Sequence, residues 1–289
     1  MPKQMSLYLK PRTLDEAVSL LAGSDAQILS GGTDFYPALG EKLPQGTIVD
    51  VSSLQELRGI SIGAEHIRVG GLTTWTEVIR APLPRCFDAL KAAAREVGSV
   101  QIQNRGTVAG NLCNASPAAD GVPPLLALDA VVELVSAAGQ RQMPLAQFIV
   151  GNRKTLRRPD EVLSGILIPR TVENAASAFL KLGARRYLVI SISMVAALIQ
   201  CDEVLCADNG RVAEARVVVG SCSASARRLG DLEKELVGLP CAPGISEVVT
   251  EAHLSSLSPI DDVRATAEYR RDASLVLVRR ALEACVGQR

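Results

Sequence analysis

The sequence predicts an α+β protein with two domains. Its 289 residues are close to twice the usual domain length of roughly 150 residues. The first stretch of about fifty residues pairs a helix with short strands, the next stretch consists of short alternating runs, and the last third combines strand-like runs with helices. Strands grouped in runs and followed by helices are typical of α+β proteins.

Composition and charge exclude several classes of protein. Hydrophobic residues make up 47% of the chain and charged residues 21%, which is typical of a folded globular protein. The charges of the 31 basic and 31 acidic residues cancel, and only 3% of residues are aromatic. The chain therefore has neither the net positive charge that attracts nucleic acid nor the many aromatic rings on which bases stack. The longest apolar run, residues 187–200, is too short to cross a membrane, and no signal peptide precedes it. We therefore expect a cytoplasmic protein with no membrane span and no nucleic-acid partner.

The cysteines favour free thiols over disulfides or metal sites. There are seven, an odd number, and they are scattered along the chain, which fits a reducing compartment. Cys201 and Cys206 form an isolated C-x4-C pair without third and fourth ligands. Neither His66 nor His253 has a second histidine at metal-binding spacing. We expect no metal or iron–sulfur site on this chain.

The first fifty or so residues predict a small α/β unit. Thr13 and Glu16 form a capping box at the start of a helix that Gly23 ends. Residues 27–29 follow as a short strand, and residues 47–51 alternate as a second strand does.

A second α+β unit begins at Ile60. Thr74 and Glu77 form another capping box before a helix. The remaining predicted elements of this unit are a helix over residues 87–97, a short helix leading into a buried strand over residues 125–135, and a strand over residues 161–169 that ends at Pro169.

The C-terminal third predicts strands followed by helices. The strands are expected at residues 187–200, 203–205 and 212–219, and the helices at residues 230–237, 244–251 and 262–286. Near residues 171–176 the side chains are mostly polar or small. We therefore divide it into a domain of residues 1–172, with subdomains of about 1–55 and 56–172, and a domain of residues 173–289.

Residues 29–37 form the first of two glycine-rich segments. Gly31 and Gly32 follow a strand, and adjacent glycines let consecutive backbone N–H groups converge on a diphosphate. Thr33 and Asp34 add a hydroxyl donor and a carboxylate acceptor. The alternative is an ordinary turn.

Residues 105–120 form the second segment. Val108 and Leu112 are its only branched aliphatic residues, and the rest is rich in glycine, alanine, asparagine, serine and threonine. Such a segment allows close approach of the backbone to a bulky ligand and offers many hydrogen-bonding groups. The alternative is an irregular loop held by its own polar side chains.

Neither segment matches the common nucleotide-binding or hydrolase motifs. The chain lacks G-x-x-x-x-G-K-[ST] and the G-x-G-x-x-G of a dinucleotide-binding turn, and it lacks the G-x-S-x-G elbow of serine hydrolases. This excludes a P-loop NTPase, a standard nicotinamide dehydrogenase and a Ser-His-Asp hydrolase.

Taken together, S-G-G-T-D and G-T-V-A-G-N-L-C-N-A-S-P-A-A-D-G-V-P-P-L-L-A-L-D-A resemble the FAD-binding medium subunit of the molybdenum hydroxylases. That family includes the flavoproteins of carbon monoxide dehydrogenase, xanthine dehydrogenase and nicotinate dehydrogenase. The resemblance extends over the whole chain through L-D-E-A-V-S-L-L, E-V-L-S-G-I-L-I-P, A-F-L-K-L-G-A-R-R and R-A-T-A-E-Y-R-R.

The resemblance implies a fold and a cofactor site. The fold is a two-subdomain FAD-binding fold of the vanillyl-alcohol-oxidase or PCMH type, followed by a C-terminal antiparallel sheet with helices. The implied FAD-binding residues are Leu29, Ser30, Gly31, Gly32, Thr33, Asp34, Phe35, Tyr36, Thr107, Val108, Ala109, Gly110, Asn111, Asp120, Leu163 and Lys181. Residues 29–36 and 107–111 would hold the diphosphate, Asp120 would lie near the polar portion of the cofactor, Leu163 would pack on it, and Lys181 would lie near the ring system. The alternative for Lys181 is a surface position at a strand end.

The resemblance also implies a function. The chain would pass electrons from iron–sulfur clusters on a partner through FAD to an external acceptor, with no catalytic acid, base or nucleophile of its own. Its partners would be a large subunit with the molybdopterin cofactor and a small subunit with [2Fe-2S] clusters, arranged as a dimer of heterotrimers. The alternatives are a self-contained FAD oxidoreductase acting on a small substrate, and a cofactor-free assembly protein.

Two departures from the family pattern bear on this function. Arg185 and Arg186 are followed by Y-L-V-I, where many relatives carry an acidic residue, so nicotinamide binding is not carried over. The four-cysteine insertion of the benzoyl-CoA reductase branch is absent, which is consistent with FAD as the only cofactor on this chain.

Overall fold

The computed structural model describes residues 7–202 and 210–287. Its helices are α1 (Leu14–Leu21), α2 (Phe35–Leu39), α3 (Trp75–Arg80), α4 (Asp88–Glu96), α5 (Val100–Gln103), α6 (Val108–Asn114), α7 (Val122–Ala127), α8 (Leu145–Phe148), α9 (Gly230–Leu236) and α10 (Ala267–Val286). Its strands are β1 (Leu7–Leu9), β2 (Gln27–Leu29), β3 (Thr47–Asp50), β4 (Ile60–Ile62), β5 (His66–Gly70), β6 (Val131–Ser136), β7 (Gly139–Pro144), β8 (Ile149–Gly151), β9 (Lys154–Thr155), β10 (Val162–Pro169), β11 (Ala176–Leu182), β12 (Ser193–Cys201), β13 (Val212–Gly220) and β14 (Arg227–Arg228). Short 3-10 helices occupy Gln55–Leu57, Arg85–Phe87, Arg170–Val172, Ile245–Val248 and Glu251–Leu254.

The first unit is a three-stranded parallel sheet of order β1-β3-β2 with α1 packed against it. Half of the predicted capping box of α1 is present: Thr13 Oγ1 accepts a hydrogen bond from the Glu16 N–H at 3.1 Å, but the Glu16 carboxylate accepts one from the Arg12 N–H at 2.7 Å and not from the Thr13 N–H. Strand β2 ends at Leu29, so the glycines that follow lie at the carboxyl edge of a parallel sheet, where ligands bind in open α/β sheets.

The second unit is a five-stranded antiparallel sheet of order β4-β5-β10-β6-β7. Helices α3, α4, α6 and α7 share one apolar core with it, in which Trp75 and Phe87 are almost fully buried. The predicted capping box opens α3, because the Thr74 N–H donates to Glu77 at 2.6 Å and the Glu77 N–H donates back to Thr74 Oγ1 at 3.3 Å.

The third unit is an antiparallel sheet of order β11-β12-β13-β14 with α9 and α10. Both faces of β12 are buried. Met194, Ala196 and Leu198 pack into the core of the second unit, and the alternate residues Val195 and Ala197 pack against the C-terminal helices. Burial on both faces explains why this part of the sequence is continuously apolar and does not alternate.

The α+β class and the C-terminal antiparallel sheet with helices agree with the prediction, but several segments differ. The strand predicted for residues 187–200 begins only at Ser193, because residues 183–192 form the connection from β11 to β12. Residues 244–251 carry the 3-10 helix Ile245–Val248 in place of the predicted helix. The strand predicted for residues 203–205 lies outside the described residues.

The cysteines also differ from expectation in one respect. Cys201 and Cys241 form a disulfide with a Cα–Cα distance of 6.5 Å. Cys201 ends β12 and Cys241 lies 40 residues further on, beyond β13 and α9, so their proximity follows from the pairing of β12 with β13. The expectation that the cysteines are free is therefore wrong for this pair and correct for Cys86, Cys113 and Cys222, among others.

None of the helices within residues 7–202 and 210–287 is long and apolar enough to cross a bilayer.

Candidate functional site

One large cavity of about 700 Å³ lies between the three units. This volume falls within the roughly 300–1,000 Å³ that is typical of ligand pockets. Its walls come from the segment after β2, the segment around α5 and α6, the start of β10, and the connection from β11 to β12. Among its lining residues are Ile28, Ser30, Gly31, Gly32, Thr33, Asp34, Phe35, Leu72, Trp75, Glu96, Gly98, Ser99, Ile102, Thr107, Ala109, Gly110, Asn111, Cys113, Asp120, Arg153, Arg157, Leu163, Leu188, Val189 and Ile190.

The first glycine-rich segment forms a tight turn at the cavity. Gly32 has φ +75°, a conformation that favours glycine. Gly31 lies against the backbone of the second segment, since a Cβ atom there would stand 2.1 Å from the carbonyl oxygen of Arg105. The backbone N–H groups of residues 31–34 donate no hydrogen bond to any residue that the structure describes. Consecutive N–H groups without protein partners form an anion-binding concavity.

The second segment is partly helical, which the sequence analysis did not predict. Residues 108–114 form α6, and Thr107 caps it by accepting a hydrogen bond from the Gly110 N–H at 3.0 Å. The hydroxyl of Thr107 also lies 3.3 Å from that of Ser30, so the two glycine-rich segments meet. A Cβ atom at Gly110 would stand 2.8 Å from Thr107 Oγ1 and 3.3 Å from Ser30 Oγ. The only local signal for this helix is Thr107 as a residue type that caps helices.

Asn111 and Cys113 belong to α6 and line the same cavity. The side-chain oxygen of Asn111 accepts no hydrogen bond from the described residues, and it has almost no accessible surface, so it is buried in the wall and not open to the cavity. Burial raises the pKa of the Cys113 thiol to about 11, and nearby Arg157 opposes this shift. Cys113 is therefore a neutral thiol at neutral pH.

Asp120 lies at the wall of the cavity in a buried hydrogen-bonded network. Its Oδ2 atom accepts a hydrogen bond from Lys181 Nζ at 2.7 Å, and its Oδ1 atom accepts one from Ser191 Oγ at 2.7 Å. The side chains of Lys181 and Asp120 are only 6% and 9% exposed. Burial raises the pKa of Asp120, while the ion pair with Lys181 and the hydrogen bond from Ser191 act in the opposite direction.

The structure brings most of the residues implied by the resemblance to this one cavity. Those that line it are Ser30, Gly31, Gly32, Thr33, Asp34, Phe35, Thr107, Ala109, Gly110, Asn111, Asp120 and Leu163. Leu29 and Val108 point into the apolar cores, and Tyr36 is exposed. Lys181 is buried behind Asp120, so the alternative of a surface lysine is wrong.

Several lining residues were not identified from the sequence. Leu188, Val189 and Ile190 reach the cavity from the β11–β12 connection, and Arg153 and Arg157 reach it from the segment around β9. Ser191 was missed as well, although it contacts Asp120 directly. These contacts join residues far apart in the chain, so no local motif marks them.

The cavity suits FAD on two observations. It is large enough for a nucleotide-sized ligand, and the N–H groups of residues 31–34, which line it, donate to none of the described residues. Within the described ranges, no three or more histidine, cysteine, aspartate or glutamate side chains are grouped so that they could hold a metal ion.

Two family models match the chain. Residues 3–171 match the FAD binding domain in molybdopterin dehydrogenase, and residues 178–285 match the CO dehydrogenase flavoprotein C-terminal domain.

Similar proteins and structures agree with these models. The xanthine dehydrogenase FAD-binding subunit of Escherichia coli O157:H7 is 32% identical over 268 residues, which cover 91% of this chain and 90% of the relative. The nicotinate dehydrogenase FAD-subunit of Eubacterium barkeri is 37% identical over 193 residues, covering 64% and 65%. A carbon monoxide dehydrogenase structure from Hydrogenophaga pseudoflava superposes with a TM-score of 0.88 at 26% identity, covering 100% of this chain and 99% of that one. Quinoline 2-oxidoreductase from Pseudomonas putida 86 gives a TM-score of 0.88 at 25% identity, with the same coverage.

Proposed function

This chain belongs to the FAD-binding medium subunits of the molybdopterin hydroxylases, the family of the carbon monoxide dehydrogenase and xanthine dehydrogenase flavoproteins, and from this premise we propose how it works. It is a flavoprotein subunit of a molybdenum-containing dehydrogenase, and we propose that it passes electrons from iron–sulfur clusters on a partner to an external acceptor. Bound FAD would supply the redox chemistry. The residues of this chain would bind the cofactor, orient it and shield it from water.

The observation that carries this proposal is the meeting of the two glycine-rich segments. Residues 31–34, whose N–H groups have no partner among the described residues, line the cavity next to the first turn of α6. Backbone N–H groups neutralise a diphosphate without arginine side chains and keep the site compact. We propose that residues 31–34 and residues 107–111 hold the FAD diphosphate.

The side chains of other lining residues indicate how they would contact the cofactor. Leu163 is an apolar residue at the start of β10 and would pack on the cofactor. Asp120 would lie beside its polar portion. None of these roles requires a catalytic acid, base or nucleophile on this chain.

We propose the partners and the location by analogy with the family. A large subunit would carry the molybdopterin cofactor, a small subunit would carry [2Fe-2S] clusters, and the complex would be a cytoplasmic dimer of heterotrimers. We also propose the division into domains of residues 1–172 and 173–289, which leaves β11 to α10 in the second domain.

The test is the flavin content of the purified full chain. After the chain is denatured by acid and removed, we expect about one FAD per chain in the supernatant, because neither glycine-rich segment requires covalent attachment. Flavin that stays with the precipitate would show covalent attachment and contradict this part of the proposal. A folded chain that neither contains FAD nor takes it up would support the cofactor-free assembly protein.

A further inference from the structure

Asp120 is held from two sides by residues of the C-terminal part of the chain. Lys181 lies on β11 and Ser191 lies just before β12, whereas Asp120 precedes α7 in the N-terminal part. Each donates to a different carboxylate oxygen at 2.7 Å. Ser191 is 2% exposed, so all three polar groups are removed from water. Buried polar groups with full partners hold a fixed geometry.

Lys181 contacts this network without lining the cavity itself. Its ammonium group lies 2.7 Å from Asp120 Oδ2 and 3.4 Å from the carbonyl oxygen of Glu96. Asp120 and Glu96 both line the cavity, and Lys181 is not among the lining residues. Lys181 therefore affects the cavity through Asp120, the lining residue that its ammonium group binds.

The backbone next to Ser191 is held in place by two hydrogen bonds of Ile192. The N–H of the next residue, Ile192, donates to the Leu182 carbonyl at 2.7 Å, and the Ile192 carbonyl accepts a hydrogen bond from the buried guanidinium of Arg270 at 2.6 Å. Residues 188–190, directly before Ser191, form part of the cavity wall. The bond from Ser191 to Asp120 thus ties this wall to the N-terminal part of the chain.

We propose that Ser191 is a positioning residue for the flavin site, because it holds Asp120 in place. Lys181 acts on the same site through Asp120, because its ammonium group cancels the charge of the Asp120 carboxylate. This inference rests on the proposed function. It assigns Ser191 a role that no motif marks, and it changes Lys181 from a contact of the ring system to the counter-ion of Asp120. An uncompensated carboxylate beside a cofactor that gains negative charge on reduction would disfavour the reduced form.

The first experiment compares two buried serines. Ser191→Ala removes the hydroxyl that holds Asp120, and we expect the dissociation constant for FAD to rise about tenfold, because a hydrogen bond to a charged group is lost. Ser193→Ala is the matched control, since Ser193 is equally buried but bonds Ser274 at 2.8 Å and not Asp120. We expect the control to bind FAD as the wild type does. Equal affinity in Ser191→Ala and wild type would overturn the role of Ser191.

The second experiment measures the midpoint potential of the bound flavin in the full chain. Measured above the raised pKa of Asp120, Lys181→Met leaves the carboxylate uncompensated and should lower the potential, whereas Asp120→Asn leaves the ammonium uncompensated and should raise it. The double variant restores neutrality and should return close to the wild-type value. Ser191→Ala leaves the ion pair between Lys181 and Asp120 in place, so it should shift the potential less than either charge variant does, and Ser193→Ala should not shift it.

The outcomes separate this inference from the proposed function. A double variant whose potential stays as low as that of Lys181→Met would show that Lys181 acts on the flavin directly and would overturn the inference alone. A wild-type chain that binds no FAD would overturn the proposed function, and this inference would fall with it.

Discussion

Three glycines determine how closely the two glycine-rich segments approach each other. Gly31 has no room for a side chain against the Arg105 carbonyl, Gly32 has a positive φ, and Gly110 faces the hydroxyls of Thr107 and Ser30. A side chain at any of the three would separate the segments or distort the turn.

We expect Gly32→Val and Gly110→Val to abolish FAD retention. At Gly32 a β-branched residue is strained at φ +75° and its Cβ would stand 2.9 Å from the Tyr36 ring. At Gly110 the Cβ would displace the cap of α6. The measurement is the flavin absorbance of the purified, folded variants relative to protein.

The matched control is Gly230→Val. Gly230 begins α9, its backbone does not have a positive φ, and a Cβ there meets no atom within 4 Å. This variant should retain FAD as the wild type does. Normal flavin content in a soluble Gly110→Val variant would contradict the role of α6 in the diphosphate site.

Cys113 should resist alkylation in the folded chain. With its pKa raised to about 11 by burial, only about a thousandth of its thiol is ionised at about pH 8, against roughly a quarter for a thiol with the ordinary pKa of ~8.5. We expect iodoacetamide to label it at least ~100-fold more slowly in the folded than in the urea-unfolded chain. Mass spectrometry of the peptide containing Cys113 gives both rates. Equal rates would show that the thiol is not buried in this way.

Individual site residues can be predicted from the sequence only where a local motif marks them. Gly31, Gly32, Thr33 and Asp34 stand out because adjacent glycines follow a strand, and the structure places all four at the cavity. Ser191 has no such pattern, since its role depends on an Asp120 that lies 71 residues away. Asp120 and Lys181 themselves entered only through the family resemblance.

At the scale of elements, α10 supports the cavity from behind. Arg270, at its first turn, is 3% exposed and donates to the Ile192 carbonyl at 2.6 Å and to Asp262 Oδ1 at 2.6 Å. It also lies 3.3 Å from the Ser221 carbonyl. The N–H of Ser221 donates in turn to the Pro117 carbonyl, three residues before Asp120. Through Arg270, helix α10 therefore holds two segments next to the site: the connection from β11 to β12 and the residue that follows β13.

We expect Arg270→Ala to destabilise the chain by roughly 3 kcal/mol, because it leaves the carbonyl of Ile192 without this buried donor and removes one of the two arginines that bind Asp262. In thermal melts this corresponds to a fall in Tm on the order of 6 °C for a chain of this size. Arg271→Ala is the control, since Arg271 is the exposed neighbour in the same helix and should change stability by less than about 0.5 kcal/mol. Equal effects of the two substitutions would contradict the buried role of Arg270.

Elements with strong local signals are the ones that sequence analysis predicts well. The caps at Thr13 and Thr74 mark α1 and α3 correctly, and the apolar run of residues 161–169 contains β10. The strand predicted for residues 187–200 started too early, because an apolar run does not reveal where the chain leaves the sheet. The helix α6 was missed because glycine and asparagine disfavour helices in isolation, and here tertiary contacts override that tendency.

At the scale of the whole molecule, the cavity is built by the N-terminal and C-terminal parts together. The glycine-rich segments and Leu163 belong to the N-terminal part, and Leu188, Val189 and Ile190 belong to the C-terminal part. Strand β12 packs one face into the core of the second unit, so the two parts share apolar packing as well as the Asp120 network.

We expect the isolated chain to be an incomplete enzyme. Mixed anaerobically with heteroaromatic or aldehyde substrates, the flavin-loaded chain should keep its oxidised absorbance, because under the proposed function its flavin receives electrons from a partner and not from the substrate. Addition of co-purified partner subunits should bleach the flavin. Rapid bleaching of the lone chain by a substrate would instead support the self-contained oxidoreductase.

The central claim is that FAD lies in the cavity with its diphosphate on the two glycine-rich segments. A crystal structure of the full chain with FAD tests this most directly. We predict diphosphate oxygens within hydrogen-bonding distance of the backbone N–H groups of residues 31–34 and of the first turn of α6, with Lys181 still bound to Asp120. A cofactor bound outside this cavity, or a diphosphate held elsewhere in it, would contradict the claim.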